Sequence, residues 1–219
     1  MRTLVSIAAV VLMLAFTAGS TDAADIQGGI SIEDGKIRDF HISVSKEYGA
    51  DEKELVVLHK QHRIPADELP VIYYIARKAG KNPKEVIELR LEGKSYWEIA
   101  IRLELKPEHF YVPVKQHVTE PPYGRALGHF KKEKKRWVRI ALTDTDMVNL
   151  VNLRLMHDRF DVSYEQIIAW RTEGASFVDI NERAYYHKHG KPSPHSAAAR
   201  SDDDQPKGAG KDKGKGKNK

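Results

Sequence analysis

The chain has 219 residues, with 36 Lys and Arg against 31 Asp and Glu, a formal net charge of +5 and no cysteine. The missing cysteines exclude disulfides, a cysteine nucleophile and a lipid-anchored N-terminus, so stability must come from an ordinary apolar core.

Residues 1–23 are not expected to belong to the fold. A basic start, Met1-Arg2-Thr3, precedes the apolar run Leu4 to Ala18 and the small residues GSTDAAD. That order reads as a secretory signal peptide cleaved near Ala23, leaving an exported protein in the periplasm or the medium. The run is about 15 residues, short of the roughly 20 that a helix needs to span a bilayer. Residues 24–39 are expected to be a flexible N-terminal segment.

Residues 40–105 read as a first helical unit. Leu55, Leu58 and His62 share a face that Val56 and Val57 widen. Leu69, Ile72, Tyr73, Ala76 and Ala79 recur at helical spacing, and Pro70 falls in the first turn, where its missing amide costs nothing. In KNPKEVIELRLEG, Asn82 is an N-cap and Glu85 is placed to reach back to its amide. Val86, Ile87, Leu89 and Leu91 are the apolar members, and Gly93 ends the helix. Ser95 and Glu98 then form a capping box for the next helix, with Trp97, Ile99, Ala100 and Leu103 as its apolar members.

Residues 106–142 are a Pro-rich, basic and aromatic connector, read as a linker or long loop in which Val112 and Val114 are extended. Residues 143–187 repeat the earlier grammar. Thr143 and Asp146 cap a helix carrying Met147, Leu150, Val151 and Leu153. Ser163 and Gln166 open the helix of Ile167, Ile168 and Trp170, Gly174 closes it, and Ser176 with Asp179 opens the last helix. RLEGKSYWEI (Arg90 to Ile99) and RTEGASFVDI (Arg171 to Ile180) are versions of one phrase. The match extends upstream without a gap, Asn82 to Ser163 and Val86 to Ile167, so an internal duplication of a helix pair is expected. Glu92 and Glu173 are expected to face the next helix N-terminus or to pair with Arg90 or Arg171. Residues 188–219 lack large apolar residues and end in alternating Lys and Gly, which predicts a disordered basic tail.

GKSYWEIAIRL resembles the first helix of a helix-turn-helix through Gly93, Ser95, Glu98, Ile99, Ala100 and Leu103. The resemblance implies DNA reading only if a polar recognition helix follows. Leu105 to Phe110 runs into YVPV, which leaves room for little more than a turn. The joints are therefore read as structural, carried by Arg90, Glu92, Gly93, Ser95, Glu98, Arg171, Glu173, Gly174, Ser176 and Asp179.

Arg125, Lys131, Lys132, Lys134, Lys135, Arg136 and Arg139 lie among Tyr123, Phe130 and Trp137. Cations meet phosphate or sulfate and aromatic faces stack on bases or sugars, so Arg125, Lys131, Lys132, Lys134, Lys135, Arg136 and Trp137 are candidates for polyanion binding, with the tail as a second basic segment. His59 and His62 are one turn apart, and His187, His189 and His195 cluster late, but no further ligand is apparent, so no metal is named. No nucleophile elbow, P-loop, dinucleotide fingerprint or zinc-protease motif is present. The sequence thus predicts an all-α protein of two related helix pairs, with no enzyme activity and no cofactor. A protein partner is expected, with an anionic polymer or surface as the alternative.

Overall fold

Capping explains where most of the helices begin. The computed structural model describes residues 32–115, 118 and 120–194. Among them every regular element is helical. These are α1 (Ile32–Tyr48), α2 (Glu52–Lys60), α3 (Leu69–Ala79), α4 (Pro83–Leu91), α5 (Tyr96–Arg102), α6 (Gly124–Phe130), α7 (Asp144–Phe160), α8 (Tyr164–Thr172) and α9 (Phe177–His189). Short 3-10 turns lie at Ala66–Glu68, Pro107–Phe110 and Lys134–Arg139. Asp51 accepts from the amides of Lys53 and Glu54 at the start of α2. Asn82 accepts from Lys84 N–H, while Glu85 does not close the reciprocal bond. Ser95 with Glu98, and Thr143 with Asp146, form full capping boxes. Each cap satisfies amides that would otherwise lack a helical partner and stabilises by about 1 kcal/mol.

The centre of the core is the pair α3 and α7. Every residue from Leu69 to Ala76 is buried, so the first two turns of α3 are enclosed on all sides, while Arg77 and Lys78 in its last turn are exposed. In α7, Met147, Leu150, Val151 and Leu153 are buried together with Asn149 and Asn152. Asn152 is satisfied on its donor side, giving Nδ2–H bonds to the carbonyls of Asp67 (2.7 Å) and Val148 (2.8 Å). Helices α4 and α5 pack on α3, α8 and α9 pack on α7, and α1 lies across α9 and α3. A continuous apolar core runs through all of them.

Several expectations need correction. Residues 32–39 belong to α1, and its Phe40 and Val44 are fully buried. The long charged helix hides a narrow apolar stripe, which the composition of the segment masked. Residues 188–194 are also part of the fold: α9 continues to His189, and the Ser193 hydroxyl donates to the Asp39 carboxylate in a buried contact. Val56, Val57 and Leu91 are exposed, as is His62, so these residues do not widen an apolar face. Residues 1–23, where a signal peptide is expected, and residues 195–219, including His195, lie outside the described residues. No helix among the described residues is long and apolar enough to cross a membrane.

The largest correction concerns 106–142. The prolines do break long helices, but the segment is folded into the core. Phe110, Val112, Tyr123, Ala126, Leu127, Phe130, Trp137, Ile140 and Leu142 are all buried. Hydrophobic burial of this extent gives the segment its own reason to fold, at about 1.5–3 kcal/mol per large side chain.

Candidate functional site

The connector buries Tyr123, Phe130 and Trp137 and leaves its cations exposed, with Tyr111 37% exposed at the edge of the ring cluster and Lys134 5.9 Å over the Trp137 ring. Trp137 is 6% exposed, its ring centroid lies 4.9 Å from Tyr111 and 5.1 Å from Phe130, and its indole N–H donates to the Lys132 carbonyl at 2.8 Å. Tyr123 is fully buried. These rings therefore offer no face to a base or sugar, which corrects the expected stacking role of Trp137. Their neighbours stay outside: Arg125, Lys131, Lys132, Lys134, Lys135, Arg136 and Arg139 are all exposed. Lys131 donates to the Val118 carbonyl, Lys135 pairs with Glu133 at 2.6 Å, and Arg125 lies 3.7 Å from Asp146. Lys132, Arg136 and Arg139 have no acidic partner among the described residues. The short 3-10 turn at Lys134–Arg139 produces this separation by pointing Trp137 inward between charged residues.

The two joints share much local geometry. At the first, Gly93 adopts φ 86°, and at the second, Gly174 adopts φ 94°, a left-handed turn that glycine enters without strain. Arg90 donates to the Lys94 carbonyl at 3.0 Å and lies 4.3 Å over the Tyr96 ring. Arg171 donates to the Ala175 carbonyl at 2.8 Å and lies 4.9 Å over the Phe177 ring. The α3 and α7 ends also correspond, with left-handed Gly80 and Asp161.

Their charged partners differ. Arg90 binds Glu68 at 2.8 Å and Asp144 at 2.9 Å. Asp144 also accepts from Tyr96 N–H at 2.8 Å, and the Tyr96 hydroxyl donates to Glu68 at 2.8 Å. Burial, then the Glu68 charge, pushes the Tyr96 phenol far above its ordinary value. Arg171 has no such carboxylates; it approaches the Asn149 side-chain oxygen at 3.5 Å. Glu92 is exposed and pairs with neither Arg90 nor the next helix, while Glu173 pairs with Arg183 at 3.1 Å. The role expected of Glu92 is thus taken by Glu68 and Asp144, while Glu173 pairs with Arg183 of α9 rather than with Arg171. Glu68 and Asp144 come from distant chain positions, and nothing in the local spacing of the joint signals them.

After α5 comes only the turn at Pro107–Phe110, with Pro107 and Phe110 buried, so no recognition helix follows the helix-turn-helix-like phrase. His59 is not poised for a metal through Nδ1, which meets the Ile64 carbonyl at 2.9 Å. His157 meets the Val162 carbonyl in the same way at 2.8 Å. Among the described residues no group of three or more His, Asp or Glu side chains is arranged to hold a metal ion.

His41, which no motif or spacing signals, is 3% exposed and packs edge-on to His59 at 5.6 Å. Burial, and then the charges of His59 and Lys60, lower its pKa from 6.5 to about 4. The unfolded chain therefore binds a proton here that the folded chain refuses. Stability is full above the unfolded value of 6.5 and falls as pH drops from 6.5 toward 4. At pH 5 the loss from this residue is about 2 kcal/mol. Urea unfolding at pH 7.5 and pH 5 should show His41→Leu losing less stability than the native chain by about that amount. Equal losses would show that His41 does not govern the acid response.

No protein-family model, curated protein or solved structure matches the chain.

Proposed function

We propose that this chain is a non-enzymatic binding protein that holds anionic polymers or anionic surfaces through the cations of 125–139. One observation carries the reading: the segment buries its rings and leaves its cations outside, several without an acidic partner. A folded segment presents those charges at fixed positions, so less ordering entropy opposes binding than for a loose chain. With Phe130 and Trp137 buried among these cations, recognition is by charge and tolerates many partner sequences. The joints then serve as supports for the core rather than as contact sites.

The reading includes export. Residues 1–23 have the order of a signal peptide, and a basic exported protein would meet envelope polyanions. It also includes descent of α3–α5 and α7–α9 from one duplicated unit, supported by the constant offset between caps, left-handed positions and joint arginines. A protein partner is the second reading, favoured by exposed Leu91 and Ile101 beside the first joint.

Fluorescence anisotropy with a labelled DNA duplex, used as a generic polyanion, tests the proposal. Replacing Lys132, Lys135, Arg136 and Arg139 by Gln should weaken binding at least about a hundredfold at low salt, given about 1 kcal/mol per surface cation. The far-ultraviolet spectrum and melting temperature should not change. Unaltered affinity would reject the basic face.

A further inference from the structure

The last turns of α1, α7 and α9 carry the basic residues Lys46, Arg159 and Lys188, where a cation complements the helix dipole. The dipole accounts for their presence but not for their convergence. All three line one cavity of about 350 Å³, together with His189, whose ring centroid lies 4.4 Å from that of Tyr185. None of the three cations has an acidic partner among the described residues, and Lys188 donates to the Arg159 carbonyl at 3.0 Å. One carboxylate, that of Asp39, also lines the space and accepts from the Ser193 hydroxyl.

Two buried polar atoms belonging to this wall are left without a partner among the described residues. Nε of Arg159 is an N–H with no acceptor, and Oδ1 of Asn181, a residue 1% exposed, is an acceptor with no donor. Both residues line the same cavity. Buried donors and acceptors left unmade are costly, so the wall calls for an occupant that both accepts and donates. Three cations against one carboxylate call for an anion. The Asn181 oxygen and the Asp39 carboxylate call for an anion that still carries a proton. A water would answer the two orphaned atoms but brings no charge to the cations.

We infer that this cavity binds free hydrogen phosphate. Its ionised oxygens accept from the Arg159 Nε–H and from the Lys46 and Lys188 ammonium groups, and its O–H donates to Asn181 or Asp39. The cavity has room for the ion and several waters, at about 30 Å³ per water. Residues 125–139 contribute nothing to its wall, so phosphate binding here is independent of the basic face.

Amide NMR of the full chain in HEPES at pH 7.5, titrated with inorganic phosphate at constant ionic strength, tests this. Sulfate and phenyl phosphate serve as comparison ions, because at this pH neither keeps the O–H that hydrogen phosphate keeps. Saturable shifts are expected at the amides of Asn181, Tyr185, Lys188 and His189 and at the Arg159 Nε–H, with about millimolar affinity or better. Sulfate and phenyl phosphate should bind at least about tenfold more weakly. Arg159→Met removes the orphaned donor, keeps the carbonyl that receives Lys188, and should weaken phosphate at least about tenfold. Lys46→Gln alters an exposed side chain, leaves the fold intact, and should weaken phosphate about threefold or more. No saturable shift at these groups, equal affinity for sulfate or phenyl phosphate, or native affinity in either variant would overturn the assignment.

Discussion

Trp137→Ala should destabilise the protein by about 3–5 kcal/mol, the cost of emptying a buried aromatic site. The ring fills a cluster with Tyr111 and Phe130, and its N–H is satisfied by the Lys132 carbonyl. Truncation removes the apolar burial, leaves a cavity and frees that carbonyl. Trp137→Phe keeps most of the packing and loses chiefly the hydrogen bond, so it should cost only about 1–2 kcal/mol. Urea unfolding at pH 7.5 measures both. For a protein of this size the alanine change corresponds to a drop in Tm on the order of 10 °C. A loose connector would tolerate either substitution, so a change below about 0.5 kcal/mol would mean that residues 106–142 do not belong to the core.

The second large effect is expected at Arg90. Arg90, Glu68 and Asp144 side chains are 21%, 19% and 31% exposed, so the cluster is neither dry nor freely solvated. Removing the cation leaves two carboxylates close together with only the Tyr96 hydroxyl and N–H to answer them. Breaking a fully buried pair costs about 3–5 kcal/mol, and partial solvation reduces this to about 2–3 kcal/mol. Arg90→Met keeps the apolar stem over Tyr96 and isolates the charge. Arg171→Met, which leaves no such carboxylate pair behind, should cost less by at least about 1 kcal/mol. The Arg90 effect should shrink only modestly in 1 M salt, because partly buried pairs are poorly screened. Equal costs at the two joints would show that the carboxylates are not what Arg90 secures.

What the sequence reveals depends on the range of the interaction. Ser95 with Glu98 and Thr143 with Asp146 are three residues apart, so their capping is readable from spacing alone. The left-handed glycines at 93 and 174 are readable for the same reason. Asp144 acting on Arg90 and Tyr96 is not, because no short-range rule links α7 to the joint between α4 and α5. Helical periodicity locates α3 but suggests one buried face, whereas helices packed around its first two turns bury every residue from Leu69 to Ala76. The same rule promotes Val56, Val57 and Leu91, which are exposed, and His62, which lies beyond the end of α2 at Lys60. In the connector, prolines and lysines dominated the reading. Yet Pro107 begins a 3-10 turn and the lysines flank buried rings, so that composition described the surface of the segment and concealed its interior.

The most direct test of the central claim is the salt dependence of polyanion binding by the folded chain. The slope of log affinity against log salt counts the phosphates neutralised, at about 0.9 per contact for duplex DNA. A slope of about −4 or steeper is expected, reduced by about 1 for each of Lys132, Lys135, Arg136 and Arg139 replaced by Gln. An unshifted Trp137 emission on binding is also expected, since that ring stays inside the core. A shallow slope, or a steep one that survives the loss of those cations, would contradict the basic face as the binding surface.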